Sequence, residues 1–151
     1  MCQESSLVKE AYRLSELNLD STVRLAIASD QRSIQFAGLC VVAVGLFFSL
    51  LSIEGNSDFV IPTLLIVISA SLSIISARSR RVYVPGMYFS SLEDDITADR
   101  PYCETLAELG DFNDSSVRHN KEVLRANSVL FNAACGFALL GLVIGLIPFV
   151  P

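Results

Sequence analysis

The residue types that most often carry out catalysis are sparse in this sequence. The single histidine, His119, stands between Arg118 and Asn120 in a stretch that predicts an exposed helix. A general base needs an orienting partner within reach, whereas a histidine in this setting is typical of a solvated surface. The sequence also lacks a glycine-rich phosphate loop, an H-E-x-x-H motif and a nucleophile elbow. We therefore predict a protein that is not an enzyme, with no catalytic residue and no cofactor.

Cysteines and clustered carboxylates are the remaining candidates for chemistry, as ligands of a metal ion. No two cysteines have metal-ligand spacing, and neither a zinc site nor a disulfide fits their positions. The four are Cys2, Cys40, Cys103 and Cys135. The acidic run at residues 93–95 is typical of a solvated face. We expect no metal site, and we interpret the cysteines as small apolar fillers.

Three long apolar segments dominate the chain. No charged residue occurs within residues 34–53, 59–77 or 128–151, and 52% of the whole chain is hydrophobic. A helix of about 20 residues crosses a hydrocarbon core of about 30 Å, and a soluble domain of this size needs more polar surface. We therefore predict an all-α integral membrane protein with three transmembrane helices, at residues 34–53, 59–77 and 128–150.

The remaining segments predict helices that lie outside the membrane. Apolar residues at helical spacing in residues 1–33 predict an amphipathic helix, and residues 78–127 predict a helical loop. The short loop at residues 54–58 makes the first two spans an antiparallel hairpin. Turn-forming and capping residues at 18–22 favour a break within the N-terminal helix.

The last span is predicted to continue from a helix that begins before the membrane. Pro101 favours a short helix that ends near Gly110, and residues 114 and 115 are of the capping type. From there to Cys135 the sequence has neither glycine nor proline. We therefore predict one unbroken helix over residues 115–147.

Basic residues are confined to one side of the predicted membrane spans. All eleven Lys and Arg fall before the first span or between the second and third. The positive-inside rule then places the N-terminus and the long loop in the cytoplasm, with the short loop and C-terminus outside. Three of them, Arg78, Arg80 and Arg81, follow the second span, where we expect contact with lipid headgroups.

The third span carries a face of small residues. Residues at alternating spacings of three and four are Asn127, Phe131, Ala134, Ala138, Gly141 and Gly145. The Gly141 and Gly145 pair permits two helix backbones to approach closely. Gly45 and Ser73 supply small positions on the other spans. These faces either pack the three helices of one chain or join copies of it, and we expect a homo-oligomer.

Polar side chains within the spans are few. No ionisable side chain occurs there, which argues against a coupled transporter. Gln35 and Asn132 are the strongest polar groups, and both stand near the cytoplasmic end of a span. We expect both to make hydrogen bonds between helices.

Residues 28–33, Ala-Ser-Asp-Gln-Arg-Ser, lead into the first span of this layout. The arrangement resembles the Pycsar-type transmembrane effector family, small membrane proteins of bacterial anti-phage systems, in which an Ala-Asp-x-Lys-Ala-like signature precedes the first span. Asp30 matches that signature, Arg32 replaces the lysine, and Ser29 and Ser33 replace the alanines. The resemblance implies an oligomeric inner-membrane protein that damages the membrane when a cyclic nucleotide signals infection.

Two functions are consistent with these features. In the first, the protein is an oligomeric, membrane-disrupting or pore-forming effector with a cytoplasmic sensing portion, which the long cytoplasmic part favours. In the second, it is an accessory subunit of a larger membrane complex, which the absence of polar pore-lining residues favours. The expected partners are membrane lipid and further copies of the chain or other membrane subunits, with no nucleic acid.

The distribution of basic residues leads to a test of orientation. We predict that alkaline phosphatase fused after Pro151 is active, because the fusion point lies outside, and that green fluorescent protein fused there is dark. The same reporters fused within residues 78–127 should behave in the opposite way. A fluorescent C-terminal fusion contradicts the predicted topology.

Overall fold

The computed structural model of the chain describes residues 2–54, 57–78, 82–85, 98 and 100–149. Within these ranges, all regular elements are helical. The α-helices are α1 (Cys2–Glu54), α2 (Val60–Ser76) and α3 (Tyr102–Leu146). Short 3-10 helices, Ser57–Phe59 and Ile147–Phe149, precede α2 and follow α3. The predicted all-α class is confirmed.

Helix α1 runs through residues 18–22 without interruption, so the predicted break is wrong. Ser21 Oγ donates a hydrogen bond to the Asn18 carbonyl at 2.7 Å, and Thr22 Oγ1 donates one to the Leu19 carbonyl at 2.8 Å. These bonds to the preceding turn satisfy the hydroxyl groups inside a continuous helix. Leu19 and Thr22 are also buried, and this packing outweighs the local preference for a turn.

Helix α3 does not end near Gly110, so the predicted short helix is also wrong. A glycine inside a helix costs about 1 kcal/mol relative to alanine. Leu106 and Asn113, one turn away on either side, are buried, and their packing offsets that cost. The predicted unbroken helix over residues 115–147 is confirmed except at its last residue, which begins the 3-10 turn.

Buried positions recur at seven-residue spacing along the two long helices. On α3 they include Leu106, Asn113, Asn120, Asn127, Ala134 and Gly141. On α1 they include Leu19, Ala26, Ser33, Cys40 and Phe47. A repeat of seven residues keeps one seam of a helix turned toward its neighbours, as in coiled coils. Many seam positions are small or polar, which permits close helix contacts.

The contacts of the chain divide it into two compact units. The first unit comprises Met1–Ala26 and Arg81–Val123, and the second comprises Ile27–Arg80 and Leu124–Pro151. The first unit therefore contains the initial parts of α1 and α3, and the second contains their later parts together with α2.

Three helices pack together in the second unit. Ser33 pairs with Ser76, and Cys40 with Ser69, so α1 and α2 are antiparallel, as predicted for the hairpin. Phe59, which is fully buried, lies with its ring centroid 6.2 Å from that of Phe47. The core of this unit is therefore built from side chains of both arms of the hairpin.

Two of the helices are long and apolar enough to cross a membrane. These stretches are Ser6–Ser52 and Tyr102–Leu146. Helix α2 is apolar too, but at 17 residues it is shorter than the other two.

Candidate functional site

The second unit buries several polar side chains and exposes many large apolar ones, although Phe47, Phe59 and Ile66 lie in its core. Its buried polar residues are Ser33, Ser69, Ser73, Ser76 and Asn127. Its exposed large apolar residues include Ile34, Leu39, Val42, Leu46, Phe48, Ile61, Leu64, Val129, Leu139 and Val143. A water-soluble domain has the opposite distribution, with its large apolar residues inside.

Serines of α2 attach the three helices of this unit to one another. Ser69 Oγ donates to the Ala134 carbonyl of α3 at 2.7 Å, and Ser76 Oγ donates to the Asn127 carbonyl at 2.9 Å. Ser76 Oγ also lies 3.4 Å from Ser33 Oγ of α1. Ser69 pairs with the later of the two α3 residues and Ser76 with the earlier one, so α2 and α3 are antiparallel.

Ser73 and Asn127 contribute polar atoms that stay unpaired in this seam. Ser73 is fully buried, yet its Oγ has no hydrogen-bond partner among the described residues, and the same holds for Asn127 Oδ1. An unsatisfied buried polar group costs about 1 to 3 kcal/mol. Close helix packing at these positions is therefore maintained against a polar penalty.

The predicted glycine pair of α3 packs against helices of the same chain. A Cβ atom at Gly141 would stand 3.0 Å from Ile66 Cγ1 and 3.2 Å from the Pro62 carbonyl oxygen. A Cβ atom at Gly145 would stand 2.5 Å from Cε1 of the Phe47 ring. Ala134 and Ala138 of the same face are buried as well. The small-residue face of the third span is thus occupied within one chain.

Gly45 lies apart from this packing. It is exposed on α1, and an added Cβ would meet no atom within 4 Å. Gln35 and Asn132 are exposed too, and neither makes an interhelical hydrogen bond within the described ranges. The prediction that these two side chains join helices is wrong within one chain, because both stand beside the buried seam and point outward.

Of the three arginines predicted to contact lipid headgroups, one lies within the described residues. Arg78 is exposed and follows Ala77, the C-cap residue of α2. Arg80 and Arg81 lie outside the described residues, as does the acidic run at 93–95.

In the first unit, the side-chain amide of Asn120 joins three segments. Asn120 is fully buried, and its Oδ1 accepts a hydrogen bond from the Tyr83 backbone N–H at 3.0 Å. Its Nδ2 donates to the Tyr83 carbonyl at 2.9 Å and to Thr22 Oγ1 at 3.3 Å. About two helical turns earlier in α3, Asn113 Nδ2 donates to Ser15 Oγ at 3.2 Å. Asn120 therefore fixes the segment at residues 82–85 against α1 and α3.

Aromatic contacts complete the attachment of that segment. The Tyr83 ring meets Phe112 edge-on with centroids 6.3 Å apart, and it meets His119 edge-on at 5.2 Å. Together with Ser115 and Ser116, these rings line a recess of about 250 Å³. The histidine thus takes part in aromatic packing.

The buried asparagines of α3 follow a pattern in the sequence, but a search for periodic apolar residues does not detect it. Asn113, Asn120 and Asn127 repeat at seven-residue spacing on α3 and all three are buried. A polar residue at a seam position fixes the register of helix pairing. A search for seven-residue spacing of any residue type, polar or apolar, identifies them.

A groove of about 460 Å³ lies between α1 and α3 in the first unit. Its lining includes Tyr12, Asn18, Asp111 and Asp114. Tyr12 donates a hydrogen bond from its hydroxyl to Glu16 at 2.7 Å. Partial burial of the phenol, this bond and the charge of Glu16 raise the pKa of Tyr12 to about 12, so the phenol stays protonated at neutral pH.

The described residues contain no group of three or more His, Cys, Asp or Glu that could hold a metal ion. Comparisons with protein-family models, with curated proteins and with solved structures found no match to this chain. Its function is therefore inferred from its own residues and their arrangement.

The Asn120 contacts lead to a test by hydrogen exchange. We predict that Asn120→Ala raises the exchange rate of the Tyr83 amide roughly 5- to 150-fold, because each buried group left unpaired costs about 1 to 3 kcal/mol. The measurement is hydrogen–deuterium exchange of peptides covering residues 82–85. Asn132→Ala, an exposed change on the same helix, is the control. Equal exchange in both variants contradicts the assignment.

The contacts of Gly141 lead to a test by unfolding. We predict that Gly141→Leu lowers the free energy of unfolding by about 1 to 3 kcal/mol, since the added side chain must separate α3 from α2. Gly136→Leu is the matched control, because a Cβ there meets no atom within 4 Å. Unfolding is followed by circular dichroism in detergent. If the two variants are equally stable, the close approach at Gly141 is not a determinant of stability.

Proposed function

We propose that the chain is a non-catalytic, multi-pass inner-membrane protein that acts as an oligomeric membrane effector with a cytoplasmic sensing portion. The membrane assignment is carried by one observation, the distribution of apolar and polar side chains between the surface and the interior of the second unit. Many of its large apolar side chains face outward, while serines and an asparagine lie buried beside a small apolar core. Lipid is as apolar as these side chains, so helices in a bilayer can expose them and associate through small and polar residues.

The dimensions of α2 support a third span beside the two long helices. The 17 residues of α2 and the three residues of the preceding 3-10 turn together rise about 30 Å. This matches a hydrocarbon core of about 30 Å. Arg78 follows at the end of α2, where a basic side chain reaches the headgroup level.

The charge distribution supports a cytoplasmic first unit. Its helical parts hold Lys9, Arg13 and Arg24, which precede the first span, and Arg118 and Lys121, which precede the third. The positive-inside rule keeps such segments in the cytoplasm. The N-terminus is then cytoplasmic and the C-terminus external.

The continuity of α1 and α3 supports a sensing role for the first unit. Each helix contributes residues to both units without a break. A ligand that binds one helix of the first unit therefore contacts an element that also contributes residues to the second unit. The layout resemblance to Pycsar-type effectors points to a cyclic nucleotide as the signal. Asp111 and Asp114 disfavour the groove beside Tyr12 as the binding place of such an anion.

The oligomer contact in this proposal lies on the outer face of α1. Exposed residues at spacings of three, four and seven form a stripe there: Gln35, Gly38, Gly45, Ser49 and Ser52. Ser49 and Ser52 donate to the carbonyls of Gly45 and Phe48 at 2.9 Å, so their hydroxyls are already satisfied in lipid. Small residues permit close approach of a second helix, and an amide such as Gln35 supplies hydrogen bonds.

We predict that Gly45→Leu weakens self-association roughly 5- to 150-fold, because the side chain holds the neighbouring copy away. Gly136→Leu is the control, since both glycines are exposed and clash with nothing in a single chain. Association is measured by native mass spectrometry in detergent, and membrane damage by dye release from vesicles. Loss of association and of dye release in Gly45→Leu alone supports the proposal.

The accessory-subunit alternative is favoured by one observation, the packing of Gly141 and Gly145 inside the chain. A tightly closed three-helix unit suits a subunit that adds an outer helix face to a larger complex. If the parent chain is monomeric and releases no dye, the effector proposal fails and the accessory function stands.

A further inference from the structure

We propose that the groove between α1 and α2 in the second unit is a binding site for one anionic phospholipid, an inference that rests on the proposed membrane location. The groove measures about 490 Å³. Its lining consists of Ile34, Ala37, Ile74, Ile75, Ala77 and Arg78. Five of these side chains are apolar and one is cationic, and this is the complement of a molecule with an acyl chain and an anionic head.

The apolar part of the groove has the form of a channel for a chain. Ala37 is only 6% exposed and provides a floor, because its small side chain leaves the space open. Ile34, Ile74 and Ile75 stand as walls and are 61%, 60% and 50% exposed. Branched side chains beside a small floor give an acyl chain more contacts than a smooth helix surface offers.

The cationic part of the groove is held next to the channel by the backbone. The N–H of Arg78 donates to the carbonyl of Ile75 at 3.2 Å, and the N–H of Ala77 donates to the carbonyl of Ser73 at 3.0 Å. These bonds close the end of α2 and fix the position at which the Arg78 side chain begins. Within the described part of the chain, no carboxylate pairs with Arg78.

The charge at the groove decides which lipid fits it. An arginine binds a phosphate through two parallel hydrogen bonds. In a headgroup with no net charge, the phosphate is already neutralised by the cation of the same lipid. In the proposed topology Arg78 faces the cytoplasmic leaflet, whose anionic lipids attract basic residues next to a membrane helix. The occupant is therefore a phospholipid such as phosphatidylglycerol, with its phosphate at Arg78 and one chain between the isoleucines.

The experiment uses the full-length chain in mild detergent with equal amounts of phosphatidylglycerol and phosphatidylcholine that carry the same acyl chains. Native mass spectrometry counts the retained lipids. We expect one phosphatidylglycerol to be retained roughly fivefold more than phosphatidylcholine, the effect of one basic residue at a membrane surface. Arg78→Gln should abolish this preference, while Arg32→Gln, another exposed arginine outside the groove, should preserve it.

A second pair of variants tests the channel. Ile74→Ala should lower the retention of both lipids without changing the preference between them, because it removes a wall. Ile61→Ala is the control, since Ile61 is 59% exposed on the same helix but does not line the groove. If Arg78→Gln keeps the preference, or if Ile74→Ala and Ile61→Ala retain lipid equally, the assignment is overturned.

A flotation measurement separates this inference from the proposed function. The parent chain, mixed with phosphatidylglycerol vesicles and washed at alkaline pH, should float with the vesicles. If it does not float, the membrane location itself fails. If it floats but the Arg78→Gln variant keeps its lipid preference, the lipid site alone fails.

Discussion

The short distance between α3 and α2 at Gly141 is what the second unit depends on. Because Gly141 has no side chain of its own, α3 lies directly against Ile66 and the Pro62 carbonyl of α2. Further along the same two helices, serine hydroxyls of α2 reach main-chain carbonyls of α3. A larger residue would press on Ile66 and Pro62, and any separation of the two helices that extended to the serines would leave further polar groups unpaired in the seam. Packing and hydrogen bonding are therefore coupled in this unit, since both depend on the same helix spacing.

This coupling explains why the outside of the unit can be apolar. In water, exposed side chains such as Leu39, Phe48 and Leu139 would drive association in every direction. In lipid they are solvated, and only shape and hydrogen bonds select one helix arrangement. The small and polar seam supplies both, so a unit of this kind can keep one helix arrangement in a membrane without a hydrophobic driving force.

Much of the helical content could be predicted from the sequence, because long apolar segments and residue spacing are local properties. The small-residue face of α3 was also readable, although the sequence alone left open whether it joins helices of one chain or of several. The errors at residues 18–22 and at Gly110 share a cause. Capping and glycine preferences are worth about 1 kcal/mol, and burial along a 53-residue or 45-residue helix exceeds them.

The contact between Asn120 and Tyr83 lay beyond sequence reasoning for a different reason. It joins residues 37 positions apart through an amide that meets one backbone N–H and one backbone C=O. Any asparagine can form such a pair, so its residue type says nothing about which segment it meets. Gln35 and Asn132 illustrate the converse, since residue type predicted a bond between helices that their outward orientation prevents within one chain.

Where α2 and α3 touch, the serine hydrogen bonds make α2 less tolerant of substitution than α3. Ser69 and Ser76 act through their side chains, whereas Ala134 and Asn127 accept through main-chain oxygens. Every residue type carries that oxygen, so drift at the α3 positions preserves the acceptors as long as the new side chain is small. At the α2 positions, substitution of Ser69 or Ser76 by a residue without a hydroxyl group removes the hydrogen-bond donor. Among divergent descendants of this chain, the α2 serines should change more slowly than the α3 residues they contact.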